Sequence, residues 1–471
     1  MKRLHKIFFL ALLTFALFPS NSSAQSFNTY ILQSPGPAQA QAACQTYGMT
    51  LVSTIRDPGT YLVQVSASVD PRSLAEWVED DPNVTKLELN NAVKESRHQN
   101  SANGPVSATV PPTTTVTDRT LAGIFGTTAW AAYVQQPALY STNAYSASIQ
   151  QGYLGQGIIA VIDTGVDEQN PNLAAVVIPG YDFTQNVAGY ANDFEDLDQS
   201  TAHILHQSTA HILHGYNTVQ LNSFSSAILD ADTASALQGV TLPNDFGHGT
   251  MVAGLIHLVA PSAKIMPLKA FNADGTSNEA DIIRAIYYAA DNGATVINMS
   301  FGLPNISDAL MKAINYATRK GVVCVASVGN DGQTTLLYPA AFGNVIGVAS
   351  VDAQNQTSVF SNRGPDLVVV AAPGESLVTT YPGNHYASVS GTSFSAALVS
   401  GAANVLLNQA LGNKHNFSQF QEPDVARALR HANACVTDGS LGGGCMDLNQ
   451  AIAYIQSMVI PATTTSTFSK N

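Results

Sequence analysis

The chain has 471 residues, of which 45% are hydrophobic and 11% charged, and its formal net charge is −13. That length accommodates a large core plus a smaller second domain, and 35 glycines suit a compact, loop-rich α/β protein. The acidic balance argues against nucleic acid and against an anionic membrane surface as partners, since both would repel it.

The N-terminus carries Lys2, Arg3 and Lys6, then an apolar run over 7–18, then Ser22 and Ala24 at small-residue cleavage spacing. This is a signal-peptide pattern over residues 1–24. The run is too short to span a bilayer, so the expectation is a soluble protein exported to the periplasm or the medium. Residues 25–97 read as a separate small α+β unit. Strands are predicted at 30–33, 50–55, 60–65 and 84–89, with helices at 38–47 and 71–80, the second N-capped by Asp70. The order βαββαβ suggests a ferredoxin-like fold. Residues 98–125 are rich in Thr, Ser, Pro, Asn and Gly and read as a linker, and 126–460 form the larger domain.

Within that domain, GIIAVID at 157–163 is a β-branched apolar run, read as a buried parallel strand with Asp163 at its carboxyl tip. An insertion follows over 187–243. It contains the octapeptide QSTAHILH twice in tandem, at 199–206 and 207–214. On a helix, His203 and His206 would share a face and could take a metal. The competing reading is a duplicated surface loop, favoured because no cysteine or carboxylate pattern completes a site. FGHGTMVAG at 246–254 sets His248 between two glycines at the start of a helical run. Strands at 264–271, 295–300 and 322–327 then alternate with helices at 278–292 and 307–320. This alternation predicts a parallel sheet with helices on both faces, a fold that binds ligands at the carboxyl ends of its strands. SVGNDG at 327–332 puts Asn330 at such an end.

GTSFSAALVSG at 391–401 opens a small-residue helical run with Ser393 in its first turn. A serine there is either an N-cap or a hydroxyl presented beside free backbone N–H groups able to stabilise an oxyanion. A serine nucleophile needs a base, and the base needs an orienting group. His248 and Asp163 are the candidates, 85 residues apart, and the chain order is Asp163, His248, Asn330, Ser393. Cys435 and Cys445 flank the glycine-rich stretch 439–444 and are expected to form a disulfide. Cys324 lies in an apolar strand as a buried thiol, and Cys44 lies in the first unit. The Thr/Ser-rich tail 461–471 is expected to be disordered.

VIDTGVD, GHGT, VGNDG and SGTS, in that order, resemble the four signature stretches of the subtilisin-like serine proteases. NMSFG at 298–302 resembles the substrate-binding strand of that family, and 358–374 is also similar to it. Sedolisins share the serine stretch but have glutamate and aspartate in place of His248 and Asn330. The resemblance implies a subtilisin-like α/β domain hydrolysing peptide bonds through an acyl-enzyme. It makes Asp163, His248 and Ser393 the triad and Asn330 an oxyanion donor. It also implies that Ser300, Phe301, Gly302, Val328 and Gly329 line the substrate groove, with 275–277 as its other edge. The Tyr338–Pro339 bond is implied to be cis.

The first unit is similar to the propeptides of this family, which chaperone and inhibit the enzyme. The partners implied are therefore protein or peptide substrates and the chain's own propeptide, with the molecule a monomer. No cofactor is implied. The family's calcium loop is missing after Gly254, and Asn172 stands where an aspartate ligand would be, so no metal is expected there. Ala397, Leu398 and Met251 depart from the family pattern and bear on helix packing. Two alternatives stand beside this reading: a catalytically weak, subtilisin-shaped binding protein, and a first unit that is an independent binding domain.

Overall fold

The computed structural model describes residues 27–94, 118–197, 228–229, 242–243, 245–412, 422–431, 435 and 439–459. The expected signal peptide, most of the linker, both histidine octapeptides and the C-terminal tail lie outside these residues.

The first unit runs β1 (Phe27–Gln33), α1 (Pro37–Tyr47), β2 (Thr50–Arg56), β3 (Thr60–Ser66), α2 (Pro71–Val78) and β4 (Lys86–Leu89). Its sheet has the order β2-β3-β1-β4 and is antiparallel throughout. Side chains alternate faces along each strand. Tyr30, Leu32, Tyr61, Val63 and Val65 pack with Ala40, Ala43, Leu74 and Val78 of the unit's own helices. Ile31 and Ile55 point the other way, into the core of the large domain. Pro71 begins α2, and the Asp70 carboxylate accepts from Ser73 N at 3.1 Å, an N-cap that satisfies one of the helix's free donors. A short strand, β5 (Ala92–Lys94), follows.

The segment expected to finish the linker is partly structured. β6 (Leu121–Ile124) pairs antiparallel with β7 (Thr127–Trp130). Two short helices, α3 (Ala131–Val134) and α4 (Pro137–Ser141), come next. The large domain continues with β8 (Ile158–Asp163), β9 (Gly180–Asp182), β10 (Val187–Gly189) and β11 (Ile228–Leu229). Helix α5 (His248–Val259) leads to β12 (Lys264–Lys269) and β13 (Thr276–Asn278), then α6 (Glu279–Asp291) and β14 (Ala294–Met299). Helix α7 (Asp308–Arg319) precedes β15 (Val323–Ser327), β16 (Ile346–Val351) and β17 (Val370–Pro373). The domain ends with β18 (Leu377–Tyr381), β19 (His385–Val389), α8 (Thr392–Gly412), α9 (Glu422–His431) and α10 (Leu448–Val459).

Eight strands form one sheet in the order β10-β9-β12-β8-β14-β15-β16-β17, parallel except at the β10–β9 edge. Two apolar clusters cover its faces. Ile159 and Val161 of β8 meet Val252 and Ile256 of α5 and Val399 and Leu406 of α8. Ala160 and Ile162 meet Ile282 and Ile286 of α6 and Leu310 and Ile314 of α7. Burial on both faces explains why these strands read as continuous apolar runs. Met251, Ala397 and Leu398 are all buried within the first cluster. The start of the expected insertion belongs to this framework, since β10 closes the sheet edge and Asp193 is fully buried. Cys435 and Cys445 form a disulfide, and Cys44 and Cys324 are buried thiols. The Tyr338–Pro339 and Asp57–Pro58 bonds are cis.

His257, in the body of α5, meets the edge of Phe125 at 5.6 Å, and its Nδ1 has no hydrogen-bond partner among the described residues. Burial pushes its pKa down from 6.5 to about 4. The folded state therefore keeps it neutral where the unfolded chain already protonates it. The stability it contributes is whole above pH 6.5 and is lost as pH falls towards 4. For a shift of that size the loss is ~3 kcal/mol. Replacing His257 with Leu in a Ser393→Ala background should make the fall in unfolding free energy between pH 7 and pH 4 shallower by about that amount. Denaturant titrations across that range check this, and identical pH slopes in the two proteins would contradict it.

Candidate active site

Asp163 ends β8 and has no solvent exposure. Its Oδ1 accepts from Thr164 N at 2.8 Å and lies 2.8 Å from His248 Nδ1. The strand end is fixed in turn, because the Asp163 carbonyl accepts from Ala270 N and Phe271 N just beyond β12. His248 is the first residue of α5. The helix enters through Gly247 at φ 83°, a left-handed conformation that suits glycine. The next residue permits the approach: a Cβ on Gly249 would fall 2.0 Å from the Gly165 carbonyl oxygen. The two glycines around His248 thus press the helix start against the strand end that carries the carboxylate.

Ser393 is the second residue of α8, within its first turn, and its hydroxyl donates to the Ser300 carbonyl at 3.3 Å. Gly391 holds the N-cap position, so Ser393 lies two residues too far into the helix to be the cap. Phe394 follows it, and its ring centroid lies 5.4 Å from that of His248, so the two helix starts face one another. Asn330 lies beyond β15. Its Oδ1 accepts from both Thr392 N and Thr392 Oγ1 at 2.9 Å. Two donors on the oxygen settle the amide orientation and leave the NH₂ group turned towards the Gly391 side, 3.6 Å from where a Cβ on Gly391 would sit. Asp163, His248, Asn330 and Ser393 are each 5% exposed or less. They can together supply an oriented imidazole, a hydroxyl at a helix N-terminus and a fixed amide donor.

The expected groove residues divide. Ser300 sits beside Ser393, its hydroxyl 3.4 Å from the Ser393 carbonyl, and Gly302 is partly exposed. The Phe301 side chain instead belongs to the core, 5.3 Å from Phe271. Val328 is fully buried, its N–H donating to the Val348 carbonyl and its carbonyl accepting from Asn362 Nδ2. Gly329 is equally committed, to Thr392 Oγ1 and to Asn362 N. The Val328 and Gly329 backbone groups are thus held in place by β16, Thr392 and Asn362, and the Phe301 side chain contributes packing. The edge expected at 275–277 is present as β13, and β5 of the first unit pairs with it antiparallel, Lys94 opposite Thr276 and Ala92 opposite Asn278.

The sequence reading passed over Asp193. It lies directly behind the Asp163–His248 pair, and burial pushes its carboxyl up to about 7 against the opposing effect of the Thr250 and Thr164 hydroxyls. Among the described residues no cluster of three or more His, Cys, Asp or Glu side chains is arranged to hold a metal. At Asn172, the amide donates to the Tyr386 hydroxyl at 2.9 Å, and that ring stacks on Trp130 at 4.6 Å.

Comparison with known proteins agrees with this architecture. The family model described as the subtilase family matches residues 155–442, which contain all four site residues. A thermophilic serine proteinase of Bacillus sp. (strain AK1) is 37% identical over 269 residues, 57% of this chain and 56% of the relative. Thermitase of Thermoactinomyces vulgaris is 35% identical over 53% of this chain and 75% of its own length. The fold resembles the crystal structure of fervidolysin from Fervidobacterium pennivorans, described as a keratinolytic enzyme related to subtilisin. The TM-score is 0.63 at 19% identity, covering 92% of this chain and 62% of that one. The match thus spans little more than half of the first relative and under two thirds of fervidolysin. With a family match over most of the large domain, and with the strand ends and helix starts arranged as described, the chain belongs to the subtilase family.

Proposed function

We propose that this chain is an exported serine endopeptidase whose first unit is an inhibitory propeptide. The observation that carries the catalytic reading is the buried contact between Asp163 Oδ1 and His248 Nδ1 at 2.8 Å, facing the start of a helix that carries Ser393 in its first turn. In this reading Ser393 Oγ attacks the scissile carbonyl carbon while its proton passes to His248 Nε2. Asp163 holds the imidazole with its Nδ1 protonated and stabilises the imidazolium that forms. The carbonyl oxygen, now anionic, accepts from the Asn330 amide and the Ser393 backbone N–H. Collapse of the tetrahedral adduct expels the amine, which takes the proton from His248. Water then repeats the sequence on the ester and releases the acid, restoring Ser393.

The docking of the first unit supports the propeptide reading. Glu88 caps the start of α7, accepting from Asp308 N at 2.9 Å and Ala309 N at 3.1 Å. Asn90 Oδ1 accepts from Ala280 N at the start of α6 at 2.9 Å. A carboxylate and an amide oxygen at two helix N-termini are placed where the helix dipoles favour them. The Arg56 guanidinium pairs with Asp291 and lies 4.4 Å from the Tyr316 ring and 5.0 Å from the Tyr287 ring. The β5–β13 pairing lays the chain's own backbone along a strand edge of the large domain, the mode by which an extended peptide adds to a sheet.

Two outcomes test this. Wild-type protein, made in a host lacking other proteases, should be isolated with a new N-terminus between about 95 and 125, because tethering holds the linker at high effective concentration near the site. Ser393→Ala should accumulate with the first unit attached, since losing that nucleophile costs about a millionfold in kcat in a subtilisin. Intact-mass measurement compares the two, and equal masses would count against self-processing. For the oxyanion role, Asn330→Ala should lower kcat on a peptide anilide by about a hundred- to thousandfold, the loss for one side-chain donor in a subtilisin, with little change in KM. Steady-state kinetics decide this, and a drop confined to KM would remove Asn330 from transition-state stabilisation.

A further inference from the structure

We infer that Asp193 is a positioning residue for the Asp163–His248 pair, clamping the strand end that carries the carboxylate to the helix start that carries the imidazole. The inference rests on the protease reading for its kinetic consequences but on geometry alone for its existence. Asp193 opens a short 3-10 helix, Asp193–Asp196, and has no solvent exposure. Its Oδ1 accepts from Thr164 Oγ1 at 2.8 Å, and its Oδ2 accepts from Thr250 Oγ1. Thr164 directly follows Asp163, and Thr250 is two residues after His248. One carboxylate therefore bridges the two elements.

The chemistry of the hydroxyls explains why a carboxylate is used. Each threonine hydroxyl has one hydrogen to donate. Thr164 Oγ1 already accepts from Gly249 N at 3.1 Å, and Thr250 Oγ1 already accepts from Asp167 N at 2.8 Å. Both hydroxyls are thus turned to donate, and the residue between them must accept on both oxygens. The carboxylate form does so, and the two donating hydroxyls favour that form against the burial that pushes its pKa up to about 7, whereas asparagine offers one oxygen. The backbone is shaped for the contact. Gly165, at φ 117°, would place a Cβ 2.7 Å from the Asn192 carbonyl carbon and 2.9 Å from Asp193 N. Val166 N also donates to the Ala191 carbonyl at 2.9 Å. Three segments meet at one point: the end of β8, the start of α5, and residues 191–193.

The clamp also bears on the charge of the imidazole. Thr164 Oγ1 lies 3.4 Å from Asp163 Oδ1 as well as 2.8 Å from Asp193. With Asp193 accepting its hydrogen, Asp163 keeps its full charge for His248. Among the described residues, the charged or titratable groups facing Asp193 include Asp163 on β8, Lys269 on β12 and the buried Tyr381 on β18. Lys269 Nζ is held by the Thr164 carbonyl at 2.6 Å and Asp196 Oδ2 at 2.7 Å, a cation under the same strand end. Replacing Asp193 with asparagine removes a negative charge and releases the Thr164 hydrogen towards Asp163. Both changes make His248 less basic.

The test uses the full chain. In a Ser393→Ala background with ¹⁵N-labelled histidine, Asp193→Asn should lower the NMR titration midpoint of His248 by ~0.5–1 pH unit. In the active protein the same substitution should lower kcat about ten- to a hundredfold, leave KM within about twofold, and move the acid limb of kcat/KM to lower pH by the same amount. Thr164→Val should move the His248 midpoint, and Thr164→Ser, which keeps the hydroxyl, should restore it. That pair decides the matter if Asp193→Asn does not fold. An unchanged His248 midpoint in folded Asp193→Asn, or the same midpoint in Thr164→Val and Thr164→Ser, overturns the inference. A shifted midpoint in a protein that hydrolyses no peptide sustains the clamp and removes the protease reading instead.

Discussion

Gly249 has to lie against the Gly165 carbonyl, and the rest of the site follows from that approach. Any side chain there would strike the backbone at 2.0 Å and Asp163 Cβ at 3.2 Å. With glycine the start of α5 reaches the end of β8, and the carboxylate and imidazole meet inside the protein, where water does not weaken the contact. A second close approach locates the serine. A Cβ on Gly401 of α8 would sit 2.7 Å from Val259 Cβ of α5, so the helices that begin at His248 and near Ser393 are held side by side through their bodies. Neither contact is strong in itself. Each removes the slack that would otherwise let the two helix starts drift apart.

The same sheet explains why the first unit rests where it does. A four-stranded sheet with two helices buries one face against those helices and leaves the other apolar. Ile31 and Ile55 fill that need by packing on the α6–α7 side of the large domain. The two helix N-termini at that surface draw in Glu88 and Asn90, and Glu279 at the start of α6 is buried completely beneath the docked unit. Burial pushes the Glu279 carboxyl up, while the Ser307 hydroxyl and the Asn91 side chain, which donates to it at 2.9 Å, act the other way. The interface thus joins an apolar patch to paired helix ends, which fixes orientation as well as attachment.

The central strands were legible because burial on both faces turns them into unbroken β-branched runs, as in GIIAVID before Asp163. Asp163, His248, Asn330 and Ser393 were legible because strand ends and glycine-flanked helix starts have local signatures. Asp193 was not, since nothing in AND followed by an acidic stretch says which carboxylate turns inward, and its partners lie 29 and 57 residues away. The core position of the Phe301 side chain was not legible for a related reason: a motif marks a segment of backbone, whereas core packing decides where each side chain in it points. β5 has three residues and exists through its pairing with β13, so no local period announces it.

Covalent labelling tests the central claim most directly. A fluorophosphonate reacts with a serine hydroxyl only when a base removes its proton and donors hold the oxyanion. Incubating the purified protein with such a probe and mapping the adduct by peptide mass should place it on Ser393, and His248→Ala should abolish it. Absence of label on correctly folded wild-type protein, or label undiminished in His248→Ala, would contradict the account.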